Sequence, residues 1–365
     1  MTIEDVTVVI TKETAAVTQA GFGMPLIVGD TKNLSGLYAA AGYTVCKNLT
    51  EVAAIVPRDV GTGTENNPEE PGVVATQVYK IAQSLFGQTP APEKVAVVWF
   101  DMGGATGDAA KINAGLNKVL ADGHDDWYFL LSPMQDKTSV ETLAANAAAA
   151  GKIYFVSQTK EQLTALSAGT KANERAVVLC HKTGAATEYP AEAWVGRCAP
   201  EYPGSITWKF KTLNGVSVSG YIGSDASDIK SANANLVVSQ GGILHTTEGK
   251  TLGGPFIDII RCQDWVKSRI AENVFRLLAV SPKVPYDDRG IAMVVSEVQG
   301  VMQQATGMGI IARDENGNGM WSVSAPKRAE ISTNDIANRV LPDVRFEFVL
   351  AGAIHSVKVK GVITL

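Results

Sequence analysis

Residues 344–365 read VRFEFVLAGAIHSVKVKGVITL, and they decide how the rest of the chain is interpreted. Apolar and polar side chains alternate over 344–348 and again over 356–362, which predicts two half-buried strands on either side of an Ala-Gly-Ala step. Strands in isolation are marginally stable in water, so these two need a partner. The partner lies either in the same subunit or in another copy of the chain. In the first case the protein is a self-contained globular monomer, and in the second it is a subunit of a larger assembly.

A second alternating segment lies near the other end of the sequence. Val6, Val8 and Ile10 share one face of residues 4–11 (EDVTVVIT), which predicts a strand there. Small and polar residues follow up to residue 23. No basic segment leads into an apolar one, which argues against a secretory signal. We therefore predict extended, strand-forming arms at 1–23 and 354–365.

Between residues 24 and 202, short apolar runs alternate with segments of helical periodicity. The run VAVVWF at 95–100 is continuously apolar, which is typical of a strand covered on both faces. Strands separated by helices predict right-handed crossovers and a mainly parallel sheet. The sequence thus predicts an α/β domain over 24–202, which the resemblance described below implies is the outer one.

The pattern changes over residues 203–353. SITWKF and VSVSGYI, within 203–222, read as two strands around an Asn214-Gly215 turn. Helices are predicted at the positions that have helical spacing or a capping residue, namely 225–234, 264–279, 288–304 and 332–341, the last capped by Ser332 or Thr333. We predict a C-terminal α+β domain here, which the resemblance described below implies is the inner one, so that the fold class is α/β together with α+β.

Composition excludes several functions. The 365 residues are 45% hydrophobic and 19% charged, with a net charge of −5, which argues against a general nucleic-acid-binding protein. No apolar run approaches the ~20 residues of a membrane span, so no membrane insertion is expected. The four cysteines are far apart and form no CxxC pair, and the four histidines are scattered. These spacings predict neither a metal site nor a cofactor.

One glycine-rich segment could hold a ligand. VVWFDMGGATGD at 97–108 places Asp101 and three glycines after a buried strand, where ligands bind in open α/β sheets. The segment matches neither common nucleotide-binding pattern, so a tight turn is favoured. A nucleotide- or phosphate-binding enzyme of the doubly wound class is nevertheless the alternative function.

Two further segments resemble chemical sites less closely. Cys180 and His181 are adjacent and could form a nucleophile pair, but a packed histidine is the favoured interpretation. DENGNG at 314–319 begins like a calcium loop, yet Ala325 occupies the position where a bidentate Glu is required. Asn-Gly steps are typical of hairpin turns, which is the interpretation we favour. The sequence contains no convincing catalytic set.

Two basic clusters lie in the C-terminal part. One comprises Lys267, Arg269 and Arg276, and the other Lys327, Arg328, Arg339 and Arg345. Each cluster is either a solvated surface or a docking face for an acidic partner.

The order of motifs in the C-terminal third is similar to the order found in one protein family. A glycine-rich turn, IDIIRCQDW, KVPYDDRGI, DIANRVLP and LAGAIHSV follow each other over 241–365, and VTVVITKETAAVTQAGFGMPLIVG contributes at the N-terminus. These segments resemble the sheath protein of contractile phage tails and of related bacteriocin-type injection devices. The middle, 57–235, matches only in its α/β character.

The resemblance implies a structural subunit without enzymatic turnover or cofactors. Such subunits polymerise as a helical array of stacked hexameric rings around a tail tube, and contraction drives the tube through the target envelope. It also implies baseplate and tail terminator proteins as partners, and a location in the virion tail after assembly in the host cytoplasm.

By the same resemblance, both arms exchange strands between subunits, and a C-terminal helix contacts the tube. The exchanged strands would present Val6, Val8, Ile10, Val357, Val359 and Val362. The tube-facing candidates are Lys327, Arg328, Arg339, Lys267 and Arg269, with the denser 327–341 cluster preferred over 264–279.

Overall fold

The computed structural model describes residues 21–31, 42–55, 59–60, 73–74 and 77–360. The strand expected at 6–10 and Val362 lie outside the described residues. All structural statements below concern the described part of the chain.

A six-stranded sheet forms the centre of the first part, in the order β2-β5-β1-β6-β7-β8. Its strands are β1 (Pro25–Asp30), β2 (Thr44–Cys46), β5 (Val95–Phe100), β6 (Phe129–Leu131), β7 (Ile153–Gln158) and β8 (Ala176–Cys180). Only β2 runs antiparallel to its neighbour, and a separate antiparallel pair joins β3 (Asp59–Val60) to β4 (Val73–Val74). The mainly parallel sheet predicted from the alternating pattern is confirmed.

Helices cover both faces of this sheet and create two cores. The helices are α1 (Leu49–Ile55), α2 (Gln77–Phe86), α3 (Ala109–Ala121), α4 (Lys137–Ala149), α5 (Lys160–Ala165), α6 (Ala168–Lys171) and α7 (Pro190–Cys198). On β5, Val95 and Val97 face the core that α2 and α7 cover. Ala96 and Val98 face the core that α3 and α4 cover. A strand buried on both faces explains why VAVVWF is continuously apolar.

Residues 203–256 pack on the same sheet. They contain α8 (Gly223–Ser231), β9 (Val237–Gln240) and β10 (Ile243–Thr246). Trp208 lies in one of the two sheet cores and Leu252 in the other. The domain boundary that we predicted after residue 202 therefore does not coincide with a change of core.

The predicted strand pair within 203–222 is wrong in its partners. The turn at Asn214 and Gly215 is present, but neither flanking segment forms a regular strand. Instead Phe210 donates its N–H to Thr246 O (3.0 Å) and Ser219 donates to Val237 O (2.9 Å). The two segments thus flank the β9–β10 hairpin, because that hairpin offers both of its edges to them.

A third core lies in the C-terminal part, between a helical hairpin and a small sheet. Its elements are α9 (Ile257–Val280), α10 (Asp288–Gly307), β11 (Trp321–Ser324), a 3₁₀ helix (Arg328–Glu330), α11 (Thr333–Ala337) and β12 (Arg345–Phe348). Trp265 of α9 and Met302 of α10 are buried in this core, and Trp321 and Phe348 pack against it from the sheet. The α+β character predicted for this part is confirmed.

The second strand that we predicted, at 356–362, is not formed in the described residues. Residues 351–360 contain no helix or strand, and Val357 and Val359 are 74% and 87% exposed. An alternating segment forms a strand only when another strand pairs with it, and none does so in the described single subunit.

No helix in the described ranges is both long and apolar enough to cross a membrane.

Candidate assembly surfaces

The glycine-rich turn after β5 is closed by the chain's own carboxylates. Asp30 accepts from the N–H of Met102 (2.9 Å) and from that of Gly104 (2.8 Å), while Asp101 accepts from Gly103 N–H (2.8 Å). These amides are the donors that a phosphate would need, and carboxylates already hold them. Added phosphate charge would be repelled here, so the segment is suited to a structural turn.

His181 belongs to a buried hydrogen-bonded cluster that includes the Ser217 hydroxyl. Its Nδ1 accepts from Gly184 N–H (2.7 Å), and its Nε2 lies 3.2 Å from Ser217 Oγ. Glu188 contacts Ser217 and not Nδ1, so the order of groups in a catalytic triad is absent. Burial raises the pKa of Cys180 to about 12, which keeps its thiol protonated and inert.

The DENGNG segment forms the expected turn. Asp314 Oδ1 accepts from the N–H groups of Asn316 (2.9 Å) and Asn318 (2.8 Å), and these bonds lower the pKa of Asp314. Across the part of the chain that the structure describes, no three His, Cys, Asp or Glu side chains come together as metal ligands.

The small C-terminal sheet presents an unpaired edge. Among the described strands, β11 and β12 pair only with each other, over the register Trp321–Phe348 to Ser324–Arg345. Beyond β12 the chain continues along the same edge, where Ala351 N–H donates to Ile310 O (2.9 Å). Because an antiparallel ladder uses alternate residues, the N–H and C=O groups of Phe346, Phe348 and Leu350 point to the opposite edge. No described strand covers that edge, so it can accept a further strand.

The C-terminal arm leaves the body at His355. The Nε2 of His355 lies 2.8 Å from Thr207 Oγ1, and its ring packs edge-on against Phe256 with the centroids 5.0 Å apart. Partial burial and nearby Lys209 lower the pKa of His355. A histidine that stays neutral can accept the Thr207 hydroxyl proton and hold the root of the arm on the body.

The tip of the α9–α10 hairpin exposes an apolar stripe. Phe275 and Leu278 lie one turn apart on α9 and are 60% and 55% exposed. The opposite stripe of α9, which the sequence identified through Val266 and Ile270, packs into the third core. α9 is therefore apolar on two faces near the tip, and α10 covers only one of them.

The basic candidates separate into exposed and buried side chains. Lys327, Arg328, Arg339 and Lys267 are exposed. Arg328 also donates its Nε to Tyr286 O (2.8 Å), which attaches the 327–340 segment to the hairpin tip.

Arg269, which the sequence placed in a basic cluster that is either solvated or tube-facing, is instead buried. It is 9% exposed, forms an ion pair with Glu272 and lies over the rings of Phe22 and Trp265. The residue sits three positions after Val266, and this spacing returns it to the buried face.

Two charged residues of α9 join the first and third cores, and sequence reasoning missed them. The guanidinium of Arg261 donates to the carbonyls of Cys198 (3.2 Å), Glu201 (3.1 Å) and Phe22 (2.9 Å). Cys198 is the last residue of α7, so a cation meets the negative end of that helix.

Asp264 forms the second join. It receives two hydrogen bonds from Arg175 (2.7 and 2.6 Å) and one from the Tyr128 hydroxyl (2.6 Å). Burial, followed by the Asp264 carboxylate, raises the pKa of Tyr128 well above its usual value, so the phenol remains a donor. In the sequence, Arg261 and Asp264 lie among the apolar residues Ile257, Ile260 and Trp265, which recur at helical spacing. Charged residues beside such an apolar stripe are the sequence signal that could have identified them.

A family model covers the C-terminal part of the chain. Residues 257–363 match the C-terminal domain of tail sheath proteins similar to E217 gp31. The match begins at the first residue of α9 and includes the small sheet and the arm root. No curated protein matched the sequence.

Solved structures share the fold over the whole length. A chain in the anti-feeding prophage baseplate is 14% identical with a TM-score of 0.66, and all of both chains is covered. The contracted helical sheath of the anti-feeding prophage is 13% identical with a TM-score of 0.67, covering 99% of each chain. The contracted sheath of the extracellular contractile injection system PVC is 12% identical with a TM-score of 0.64, covering 99% of this chain and 98% of that chain.

The structural likeness shows the fold, and the family model identifies the region that carries the unpaired edge and the arm. Residues 257–363 therefore match a tail sheath C-terminal domain, and the whole chain shares its fold with solved contractile sheath structures.

Proposed function

We propose that this subunit polymerises as a helical array around a tail tube and that the array contracts to drive the tube through a target envelope. One observation carries the proposal: the same chain presents an unpaired strand edge at β12 and an exposed, alternating arm at 354–360. The edge can receive a strand and the arm can supply one.

An edge and an arm on one subunit generate an open assembly. Adding a strand to an edge saturates the backbone groups of both partners, and pockets along the sheet select the side chains. Because the donor and the acceptor are different surfaces, the contact is head-to-tail and propagates without closing, which produces a helical array. The exchanged residues are then Val357, Val359 and Val362 at one end and Val6, Val8 and Ile10 at the other.

The hairpin tip and the 327–340 segment form the proposed tube-facing surface. Lys327, Arg328, Arg339 and Lys267 supply exposed positive charge, and Phe275 supplies apolar area beside it. Charged rims steer and orient docking, while a buried apolar contact supplies affinity. The partner surface on the tube is accordingly acidic with an apolar centre.

The remaining partners follow from the mode of assembly. We propose stacked hexameric rings that start on a baseplate, end at a tail terminator and lie in the virion tail after assembly in the host cytoplasm. A solved chain with the same fold comes from a baseplate structure, which supports the first contact. Contraction releases free energy when subunit contacts enlarge, and many small gains sum along the array.

Electron microscopy of the purified protein tests the proposal. The full chain should form tubular polymers in negative stain at high protein concentration. Deletion of 354–365 should leave a folded monomer or short oligomer, because the body is complete up to the bond from Ala351 N–H to Ile310 O. Thermal unfolding of the truncated protein is the control for folding.

Two outcomes contradict the proposal. The full chain could remain monomeric at every concentration, or the truncated chain could form the same polymers as the full one.

A further inference from the structure

The unpaired edge of β12 carries one acidic side chain on its outer face. Glu347 lies between Phe346 and Phe348, is exposed and has no ionic partner in the described ranges. Its neighbour Arg345 is already 3.2 Å from Asp343. Phe346 is 40% exposed although it lies on the face that continues into the third core.

The arm has the complementary pattern. Lys358 lies between Val357 and Val359, is exposed and has no ionic partner in the described ranges. Successive side chains of a strand point to opposite faces. If the arm extends the sheet with its two valines beside Phe346 and Phe348, Lys358 falls on the outer face, beside Glu347. A slip of one residue would place the lysine on the apolar face and is excluded for that reason.

We propose that the arm of a second copy adds to the edge of β12 and that Lys358 pairs with Glu347, so that this pair sets the edge and the register of strand exchange. The inference rests on the proposed function, since it names the partner groups of the same contact. Opposite charges on neighbouring strands stabilise the pair, and like charges destabilise it.

The root of the arm directs it away from its own sheet. His355 is held at Thr207 and Phe256, which belong to the segment packed on the first part of the chain. The arm therefore starts outside the β11–β12 sheet, and the open edge is left to another subunit.

Charge also favours one direction for the added strand. In the parallel direction Ser356 lies beside Arg345, whereas in the antiparallel direction Lys360 does. Two cations side by side are unfavourable, so the parallel direction is preferred.

A charge-swap experiment tests the pair. Glu347→Lys and Lys358→Glu should each raise the critical concentration for polymerisation by about two- to fivefold, as expected for one cross-strand pair. The double variant should return towards the wild-type value. Glu315→Lys, an exposed acid in the 314–319 turn, and Lys360→Glu, the next lysine of the arm, are the matched controls and should change it less.

Cross-linking provides an independent readout. Cysteines at 347 and 358 should give disulfide-linked ladders of subunits in assembled protein, and the four native cysteines are buried and will contribute little background. Three results would overturn the pair: single variants that polymerise like wild type, a double variant no better than the singles, or an assembled Glu347→Cys, Lys358→Cys variant that forms no ladders. If one of these results is found and deletion of 354–365 still abolishes the polymers, the Glu347–Lys358 pair is wrong but the proposed function stands. Polymers that survive the deletion overturn the proposed function as well.

Discussion

At the scale of single residues, Glu192 is a buried carboxylic acid whose pKa shift falls between mildly acidic and neutral pH. It lies in the first turn of α7 and is 1% exposed, and its carboxylate accepts a short hydrogen bond from Ser157 Oγ. Burial raises the pKa of Glu192 from 4.5 to about 7, and the Ser157 bond opposes only part of that rise.

The raised pKa of Glu192 predicts a pH dependence of folding. The folded state holds the proton up to about pH 7, whereas the unfolded chain releases it near its ordinary pKa of 4.5. The free energy of unfolding should therefore fall as pH rises from about 4.5 to 7, and the contribution should be constant above that. The integrated loss is on the order of 2–3 kcal/mol.

Glu192→Gln removes the titrating group, so its unfolding free energy should vary less between pH 5 and 8 than that of the wild type. Urea denaturation at four pH values measures the difference. Parallel pH curves for the two proteins would contradict the prediction. The sequence could not reveal this residue, because Glu192 follows a proline and precedes Trp194 in a segment that reads as an ordinary helix start.

At the scale of elements, hydrophobic periodicity predicted most strands of the six-stranded sheet and most of the helices that cover it. It did so because the apolar side chains that create the pattern are the ones buried in the cores. β5 begins and ends where the apolar run VAVVWF does. The failures have a different cause. Apolar and polar residues alternate within 203–222 and in the arm at 356–362, as in a strand. Alternation does not reveal which strand, if any, pairs with such a segment.

The helical hairpin shows the same limit. Spacing identified the stripe of α9 that packs into the third core, and it did not show that Phe275 and Leu278 would stay uncovered. Both lie beyond the buried half of the helix, where α10 packs against one face only.

Replacement of both tip residues separates folding from docking. Phe275→Ser with Leu278→Ser should change the free energy of unfolding of the monomer little, about 0.5 kcal/mol or less per residue, because both side chains are exposed. The same variant should bind purified tail tube more weakly in co-sedimentation, since the apolar contact is lost.

Ile222→Ser is the control for this test. Ile222 is 84% exposed and precedes α8 on the first part of the chain, so tube binding should be unaffected. Equal tube binding by the tip variant and the wild type would remove the hairpin tip from the tube-facing surface.

At the scale of the whole molecule, the sequence predicted an α/β part and a C-terminal α+β part, but it did not predict the interactions that connect them. The structure supplies two: Arg261 at the end of α7, and Asp264 with Arg175 and Tyr128. Both belong to the IDIIRCQDW segment on which the family resemblance depends. A charge in an apolar helical stripe was visible in the sequence, but the carbonyls that accept its hydrogen bonds were not, because they are backbone groups of distant segments.

These joins predict that the sheet and the helical hairpin unfold together. Arg261→Lys keeps the positive charge but replaces the planar guanidinium with a single ammonium group. The ammonium cannot donate to the carbonyls of Cys198, Glu201 and Phe22 at once, so some of them lose their hydrogen bond. The expected cost is about 2–4 kcal/mol. Calorimetry should show one cooperative transition for the wild type and a lower, broader or divided transition for the variant.

Arg276→Lys is the matched control for that substitution. It lies on the same helix with a side chain 56% exposed, and its ion pair with Glu297 spans 3.5 Å at the surface, so its unfolding should match the wild type within about 0.5 kcal/mol. An unchanged single transition in Arg261→Lys would show that the joins do not couple the two parts. In the proposed sheath, the helical hairpin and the six-stranded sheet of one subunit would have to move together, and the buried Arg261 would couple them without exposing the contact to water.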